Sequence, residues 1–348
     1  MKILKQVLGV DVAQKELVVT LGRLNEDLSC DLYSYGVFKN EQKGLDTLLK
    51  WLNNNVDPAI PTRIVMEATG VYHQKLAHFM LENQFQVSVV LPNKVSNYMR
   101  TLEIKTVTDK TCSEAIARFG LERKLEDWNK PDDTYYTLKQ LTRERDQIVD
   151  DRTGLKNRLH AEQSEFNPNQ NTIKRINDNI AFLNQQEKQI KKEINDILKQ
   201  NKQIKEKVDI MATIPGMGKL TAVIILAETN GFELIRNKKQ LTSYAGLDVK
   251  EKSSGTSVRS KKKISKKGNR HIRKSLYMPS LCGVRFNPIH KEVYARLVSN
   301  HGIKMKSLIA IQRKMLELSY VLVKNNTRFD PIYEQKKGAT KNISSLCN

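Results

Sequence analysis

The chain has 348 residues, and its 59 Lys and Arg against 38 Asp and Glu give a formal net charge of +21. That length allows about two domains, with room for an insertion, and the basic excess favours nucleic acid or an anionic membrane surface as partner. No run of about 18 apolar residues exists, and the N-terminus has neither a long apolar signal core nor a small-residue cleavage site. A membrane partner therefore loses ground to nucleic acid, and a cytoplasmic location is expected. The four cysteines, Cys30, Cys112, Cys282 and Cys347, are scattered without C-x-x-C spacing, so neither a zinc site nor a disulfide framework is indicated.

Residues 1–128 alternate strand and helix patterns. "QVLGVDVA", "KELVVTLG" and "CDLYSYGVFKN" are strands, and "EQKGLDTLLKWLNNN" is an amphipathic helix. "TRIVMEAT" is a strand ending in Glu67, "VYHQKLAHFMLENQ" a helix, and "FQVSVVLP" another buried strand. "DKTCSEAIARFGLERK" is a helix with Asp109 as its cap. This alternation predicts an α/β domain with a mostly parallel sheet covered on both faces.

Residues 129–208 change character. Two arms rich in Lys, Glu, Gln, Asn, Leu and Ile flank "NPNQ", where Pro168 breaks a helix. In the second arm Ile173, Ile176, Ile180, Leu183, Ile190, Ile194, Ile197 and Ile204 recur at spacings of three, four and seven. Glu187 and Asn201 fill the positions where the stripe skips. The pattern predicts a coiled-coil hairpin projecting from the body; the plain alternative is two helices packed on their own domain.

Residues 209–333 form a third, mainly helical unit. It opens with "IPGMGKL", where Gly216, Gly218 and Lys219 lead into an apolar helix. Free backbone N–H groups at such a start suit a phosphate, in the manner of a helix-hairpin-helix element; an ordinary tight turn is the alternative. Residues 334–348 are a polar tail, expected to be loose.

Two constellations carry chemistry. Asp11 interrupts an apolar strand, where a carboxylate is expensive. With strand-end Glu67 and helix-start Asp109 it makes a layout that resembles the RNase H-like nucleases of RuvC type. Phosphodiester cleavage there needs Mg²⁺, with Mn²⁺ as a substitute, and hence hard oxygen ligands converging from separate elements. Taken singly, Asp11 is equally a turn or edge residue, Glu67 a salt-bridge partner and Asp109 an N-cap. The second constellation is Ser254-Gly255 at the mouth of a run containing Arg259, Lys261, Lys262, Lys263, Lys266, Lys267, Arg270, Arg273 and Lys274, with no acid from Thr256 to Ser275. Such a run suits nucleic-acid phosphates, although a solvated basic loop after a flexible turn has the same composition. Tyr277 and Phe286 are placed to stack on bases, but their apolar, helical surroundings favour core positions.

"GVDVAQKEL", "MEATGVYHQKLAHFM", "TDKTCSEAIARFG", "IPGMGKLTA" and "YAGLDVKEKSSGTSVRSKKKISKKGNRHIRKSLY" follow one another in this order. Together they closely resemble the DEDD transposases of the IS-one-ten (IS110) family of insertion sequences and the related Piv-type DNA invertases. The resemblance implies a RuvC-like domain, a coiled-coil connector and a C-terminal transposase domain. It also implies a bacterial recombinase, nucleoid-associated when bound to DNA, acting on donor and target DNA and guided by a structured, element-encoded bridge RNA; the coiled coil favours self-association as a dimer, and the four strand ends of recombination suit a tetramer. The family's first three acids fall on Asp11, Glu67 and Asp109. Its fourth falls on Cys112, a thiol ill suited to Mg²⁺, which puts the activity of this copy in doubt; Glu114, five residues beyond Asp109, points elsewhere. The family's Gly-Leu-x-Pro…Ser-Gly motif matches at Gly246, Leu247, Ser254 and Gly255, with Val249 in place of the Pro. It assigns the DNA-joining nucleophile to Ser254, with Ser253 the nearest rival. Metal site and serine then meet either within one chain or between partner chains.

Overall fold

The computed structural model describes residues 2–331 except 69, 103, 105, 252, 255–257 and 260–262, with the backbone alone at 253, 254, 258 and 259 and no account of the side chain of His301. The expected tail, 334–348, and Cys347 lie outside the described residues, as do Gly255, Lys261 and Lys262. The chain divides into two compact units, Met1–Lys130 and Pro131–Asn348. Among the described residues no helix is long and apolar enough to cross a membrane.

The first unit runs β1 (Ile3–Val12), β2 (Glu16–Asn25), β3 (Cys30–Lys39), α1 (Gln42–Asn55), β4 (Thr62–Glu67), α2 (His73–Glu82), β5 (Gln86–Val90), α3 (Pro92–Met99) and α4 (Asp109–Glu122). The sheet order is β3-β2-β1-β4-β5. β2 is antiparallel to β1 and β3, while β4 is parallel to both β1 and β5. The sheet is therefore mixed: the first three strands are joined by tight hairpins, which force antiparallel neighbours, and parallel pairing begins only where α1 supplies a crossover. Strand periodicity sorts β1 between two cores. Leu8 and Val10 pack with Leu48 of α1 and Met80 of α2. Val7 packs with Val65 of β4 and Ile116 of α4 on the opposite face. This is an RNase H-like arrangement.

Glycines set how closely α4 sits on that second face. A methyl group on Gly9 would collide with the backbone of Ser113 and Ala117, and one on Gly120 would come within 2.8 Å of Val7 and Val65. A buried hydrogen bond of 2.7 Å between the hydroxyls of Thr20 and Ser113 fixes the helix along β2.

The second unit runs α5 (Asp133–Gln163), α6 (Gln170–Gln200), α7 (Lys202–Ala212), α8 (Lys219–Glu228), α9 (Lys238–Tyr244), β6 (Val249–Lys250), β7 (Ser253–Ser254), β8 (Val258–Arg259), β9 (Lys263–Ile264), α10 (Arg270–Phe286), α11 (Pro288–His301) and α12 (Lys304–Lys324). One core joins Leu138 of α5, Ile194 of α6, Met211 of α7, Ile225 of α8, Leu276 of α10 and Met315 of α12. The base of the α5–α6 hairpin is thus part of this unit's core, while Phe166 and Phe182 toward its far end are exposed. Three sequence expectations need correction here. Asn201 is not a polar position within a continuous stripe: α6 stops at Gln200, and Asn201 caps α7 by accepting from the Ile204 N–H at 3.2 Å. Tyr277 and Phe286 are not core but 39% and 67% exposed. The buried face of α10 is Ile272, Leu276, Pro279, Ser280 and Gly283, at helical spacing, and both aromatics fall off it.

Candidate functional site

The parallel register β1–β4 pairs Gly9 with Val65 and Val10 with Met66. One step further it brings Asp11 beside Glu67, on the face that carries Val7 and Val65 and hence α4. The N-terminus of α4 comes over the same strand ends because Gly9 and Gly120 let the helix lie flat on the sheet. Here too the sequence expectation is corrected. The cap of α4 is Thr108, whose hydroxyl accepts from the Thr111 N–H at 3.2 Å while the Thr111 hydroxyl accepts from the Thr108 N–H at 2.8 Å. Asp109 is the first helical residue, so its carboxylate is not needed for capping. Cys112, three residues on, shares its face.

The electrostatics record this convergence. Burial pushes the Asp11 carboxyl above the usual range, and the charge of Asp109 pushes it further. Burial, then Asp11, does the same to Glu67. The Cys112 thiol is pushed up to about 11 by burial and then by the charges of Asp11, Asp109 and Glu67. It is therefore a neutral thiol at physiological pH. Three carboxylates from three elements supply hard oxygen donors of the type Mg²⁺ takes; the protonated thiol adds none. Among the described residues no three Asp, Glu, His or Cys side chains are gathered tightly enough to cage an ion. The carboxylates act on one another's titration without being gathered at one position.

In the second unit the predicted serine lies on a ribbon. β6 pairs antiparallel with β9, and β7 with β8, with Ser254 opposite Val258 and Ser253 opposite Arg259. Gly246 (φ +67°) begins this ribbon and Gly268 closes it. The Arg273 guanidinium ties the two ends by donating to the carbonyls of Ala245 at 2.7 Å and Gly268 at 3.1 Å. Lys274 binds Asp150 of α5 at 2.7 Å. Arg273 and Lys274 are thus engaged internally, whereas Lys263, Lys266, Lys267 and Arg270 are exposed. At the start of α8, Gly216 (φ +91°) is there for packing: a side chain would strike the backbone of Pro279 and Gly283 in α10. Gly218 is open, with nothing within 4 Å of an added methyl, and Lys219 pairs with Asp209 at 2.9 Å.

Sequence reasoning missed the anchor of this region. Glu228, with a side chain 1% exposed, accepts from Arg143 of α5 through both oxygens, at 2.7 and 2.9 Å, and from Asn269, the cap of α10, at 2.6 Å. Its one signal was a glutamate closing the otherwise apolar helix "LTAVIILAE".

A five-stranded sheet with acids converging on one face, followed by a helical unit with a basic ribbon, defines the class: an RNase H-like enzyme of DNA recombination. A transposase family model of the DEDD, IS110 type matches residues 8–168, and the model for the IS116/IS110/IS902 transposase family matches residues 208–295. The chain belongs to the IS110 family of transposases. The pilin gene-inverting proteins of Moraxella bovis and Moraxella lacunata are each 28% identical over 328 residues, covering 94% of this chain and 98% of theirs. The RuvC structure from Thermus thermophilus aligns at 13% identity and a TM-score of 0.28, over 35% of this chain and 99% of that one. At that score the likeness adds nothing to the strand order already described.

Proposed function

We propose that this chain cuts and rejoins DNA strands as the recombinase of an insertion sequence, with Asp11, Glu67 and Asp109 as its metal-holding acids and Ser254 as its nucleophile. The observation that carries the reading is the placement of Asp11 and Glu67 at adjacent parallel strand ends beneath the N-terminus of α4, where the charge of Asp109 acts on Asp11 and that of Asp11 on Glu67, in a chain whose two family matches span both units. A divalent cation held by these carboxylates supplies charge neutralisation at the scissile phosphate. The Ser254 hydroxyl loses its proton and forms an Oγ–P bond. The bond from phosphorus to one deoxyribose oxygen breaks, and that oxygen takes up a proton. The hydroxyl end of another strand then attacks the phosphoserine ester and releases the serine. The exposed Lys263, Lys266, Lys267 and Arg270 hold phosphates on either side. Arg259, Lys261 and Lys262 extend the same run in the sequence. The helical hairpin serves self-association into a dimer or tetramer, and a structured bridge RNA selects donor and target sites.

Ser254→Ala tests the chemistry. A denaturing gel is expected to show a protein–DNA adduct for the parent only, while both proteins bind DNA. An adduct that survives the substitution moves the nucleophile elsewhere, with Ser253 the first to examine. A second reading, a site-specific invertase that needs no RNA, is favoured by the full-length likeness to the two gene-inverting proteins. Sequencing the nucleic acid that co-purifies with the chain decides between them: a single structured RNA supports the guided recombinase, and its absence supports the invertase.

A further inference from the structure

The base of the ribbon and α12 enclose a cleft of about 990 Å³ in the second unit. Its floor is aliphatic, including Val249, Ile264, Leu297, Ile303 and Met305. Val249, Ile303 and Met305 are 55%, 56% and 50% exposed, so the floor is open to solvent. Among the described residues, every charged one lining it is a cation: Lys250, Lys263, Lys266, Lys306 and Arg313. Arg313 is paired with Glu317 at 2.8 Å, which leaves four lysines at the rim. Lys250 and Lys263 are direct cross-strand neighbours in the β6–β9 pair. Like charges so placed destabilise a ribbon, and an anion between them reverses that. Another cleft of the unit, about 810 Å³, differs in kind: its lining mixes Lys238, Lys314 and Arg328 with Glu317 and Asp330.

A one-signed cationic rim over an apolar floor selects a ligand with a flat apolar part and regularly placed negative charges. We propose that this cleft seats an unstacked base of single-stranded DNA, with the flanking phosphates on Lys250, Lys263, Lys266 and Lys306. A duplex hides the faces of its bases, so only an unpaired or splayed base reaches such a floor. The volume lies within the range of about 300–1,000 Å³ usual for sites that hold a small organic molecule. Ser254 follows Lys250 of the cleft by four residues, a reach of at most about 14 Å of chain, so a base held here lies near the scissile phosphate. In that respect the inference rests on the recombinase reading.

The test is fluorescence anisotropy on the full-length chain with five probes: an oligodeoxythymidine strand, the same strand with one abasic position moved along it, the matching duplex, oligouridine, and oligouridine with the same abasic position. The expected result is an affinity loss of about tenfold at one abasic register. Ile303→Ser with Met305→Ser is expected to weaken single-strand binding to the same extent, to erase the abasic effect, and to leave duplex binding and the salt slope unchanged. Equal affinity for intact and abasic strands at every register overturns the proposal, and this arm uses the unmodified protein. Equal losses for strand and duplex in the double variant also overturn it. The same abasic sensitivity in oligouridine, without it in oligodeoxythymidine, transfers the cleft to RNA and overturns the DNA assignment. Adduct formation through Ser254 with no abasic effect removes the cleft and leaves the recombinase. An abasic effect without the adduct keeps the cleft as a strand-binding site and removes the nucleophile.

Discussion

Both units draw carboxylates out of water, half-buried in the first and buried in the second, and they treat them in opposite ways. In the first, burial and then the charge of Asp109 raise Asp11, burial and then Asp11 raise Glu67, and among the described residues no Lys or Arg forms an ion pair with either. In the second, burial alone would raise Glu187, but hydrogen bonds from Lys191, Arg152 and Arg145 outweigh it and hold the carboxyl at about 2. Glu228 is likewise held low: burial raises it, and Arg143 and Asn269 more than offset that. Compensated acids act as scaffold, because each locks two helices in register. Uncompensated acids that repel one another cost stability, the pattern expected at functional sites and the ground for proposing a metal site here.

The largest effect expected from this contrast is at Asp11. Asp11→Asn removes one hard ligand and is expected to lower Mg²⁺-dependent strand transfer by about a thousandfold or more, a loss of roughly 4 kcal/mol at the transition state. The same substitution is expected to raise the melting temperature by a few degrees in metal-free buffer, since it also removes a repelled, half-buried charge. A raised carboxyl favours the fold while protonated and loses that contribution as pH climbs through its folded value. The parent's gain in melting temperature from Mg²⁺ should therefore grow with pH and vanish in Asp11→Asn. Calorimetry with and without Mg²⁺ checks this, and a destabilised Asp11→Asn would make Asp11 scaffold after all.

Glu187 should behave with the opposite sign. Its folded value of about 2 lies below its ordinary 4.5, so its contribution is complete above 4.5 and is lost as pH falls toward 2. The difference is worth on the order of 3 kcal/mol at neutral pH. Glu187→Gln is expected to destabilise the second unit by about that much and to flatten its acid unfolding between those limits. Circular dichroism of the helical signal against pH measures both. Unchanged acid unfolding would remove Glu187 from the scaffold.

Cys112 comes next. Cys112→Asp adds a fourth carboxylate beside three that already repel, so without metal it should lower the first unit's stability. With Mg²⁺ it should raise strand transfer about tenfold, if the missing ligand is worth about 1.4 kcal/mol. Cys112→Ala should match the parent, because a thiol held protonated makes no metal bond. Strand transfer by all three proteins across a Mg²⁺ titration decides; no gain in Cys112→Asp at any concentration detaches α4 from the metal site.

Much of this contrast was legible in the sequence, unevenly. Asp11 inside "VLGVDV" stood out because a lone acid in an apolar strand has few structural excuses, and Glu67 because it ended one. What could not be read was pairing. Glu187 looked like a gap in an isoleucine stripe, since its arginines sit 35 and 42 residues earlier on another helix. Asn201 looked like a second gap, although it ends one helix and caps the next. Tyr277 and Phe286 have helical spacing and apolar neighbours, but spacing alone does not say which face of α10 is covered. Gly9 carried no sequence signal, because its role is the approach of a helix more than a hundred residues later.

The smallest effect separates capping from site chemistry at one helix end. Sequence offered Asp109 as the cap of α4, and the hydrogen bonds give that work to Thr108. Thr108→Ala is then expected to cost about 1 kcal/mol of stability, the usual worth of an N-cap. Asp109→Asn should cost less than about 0.5 kcal/mol, because it forfeits only a favourable charge at a helix N-terminus, and it should gain some of that back by relieving Asp11. In strand transfer the ranking reverses: Asp109→Asn should be severely impaired, while Thr108→Ala should lose only what the loosened helix end costs. Chemical unfolding of the two variants, set beside their strand-transfer rates, reads both rankings at once. If Asp109→Asn proves the less stable of the two, Asp109 is holding the helix and not the metal, and the acid site shrinks to Asp11 and Glu67.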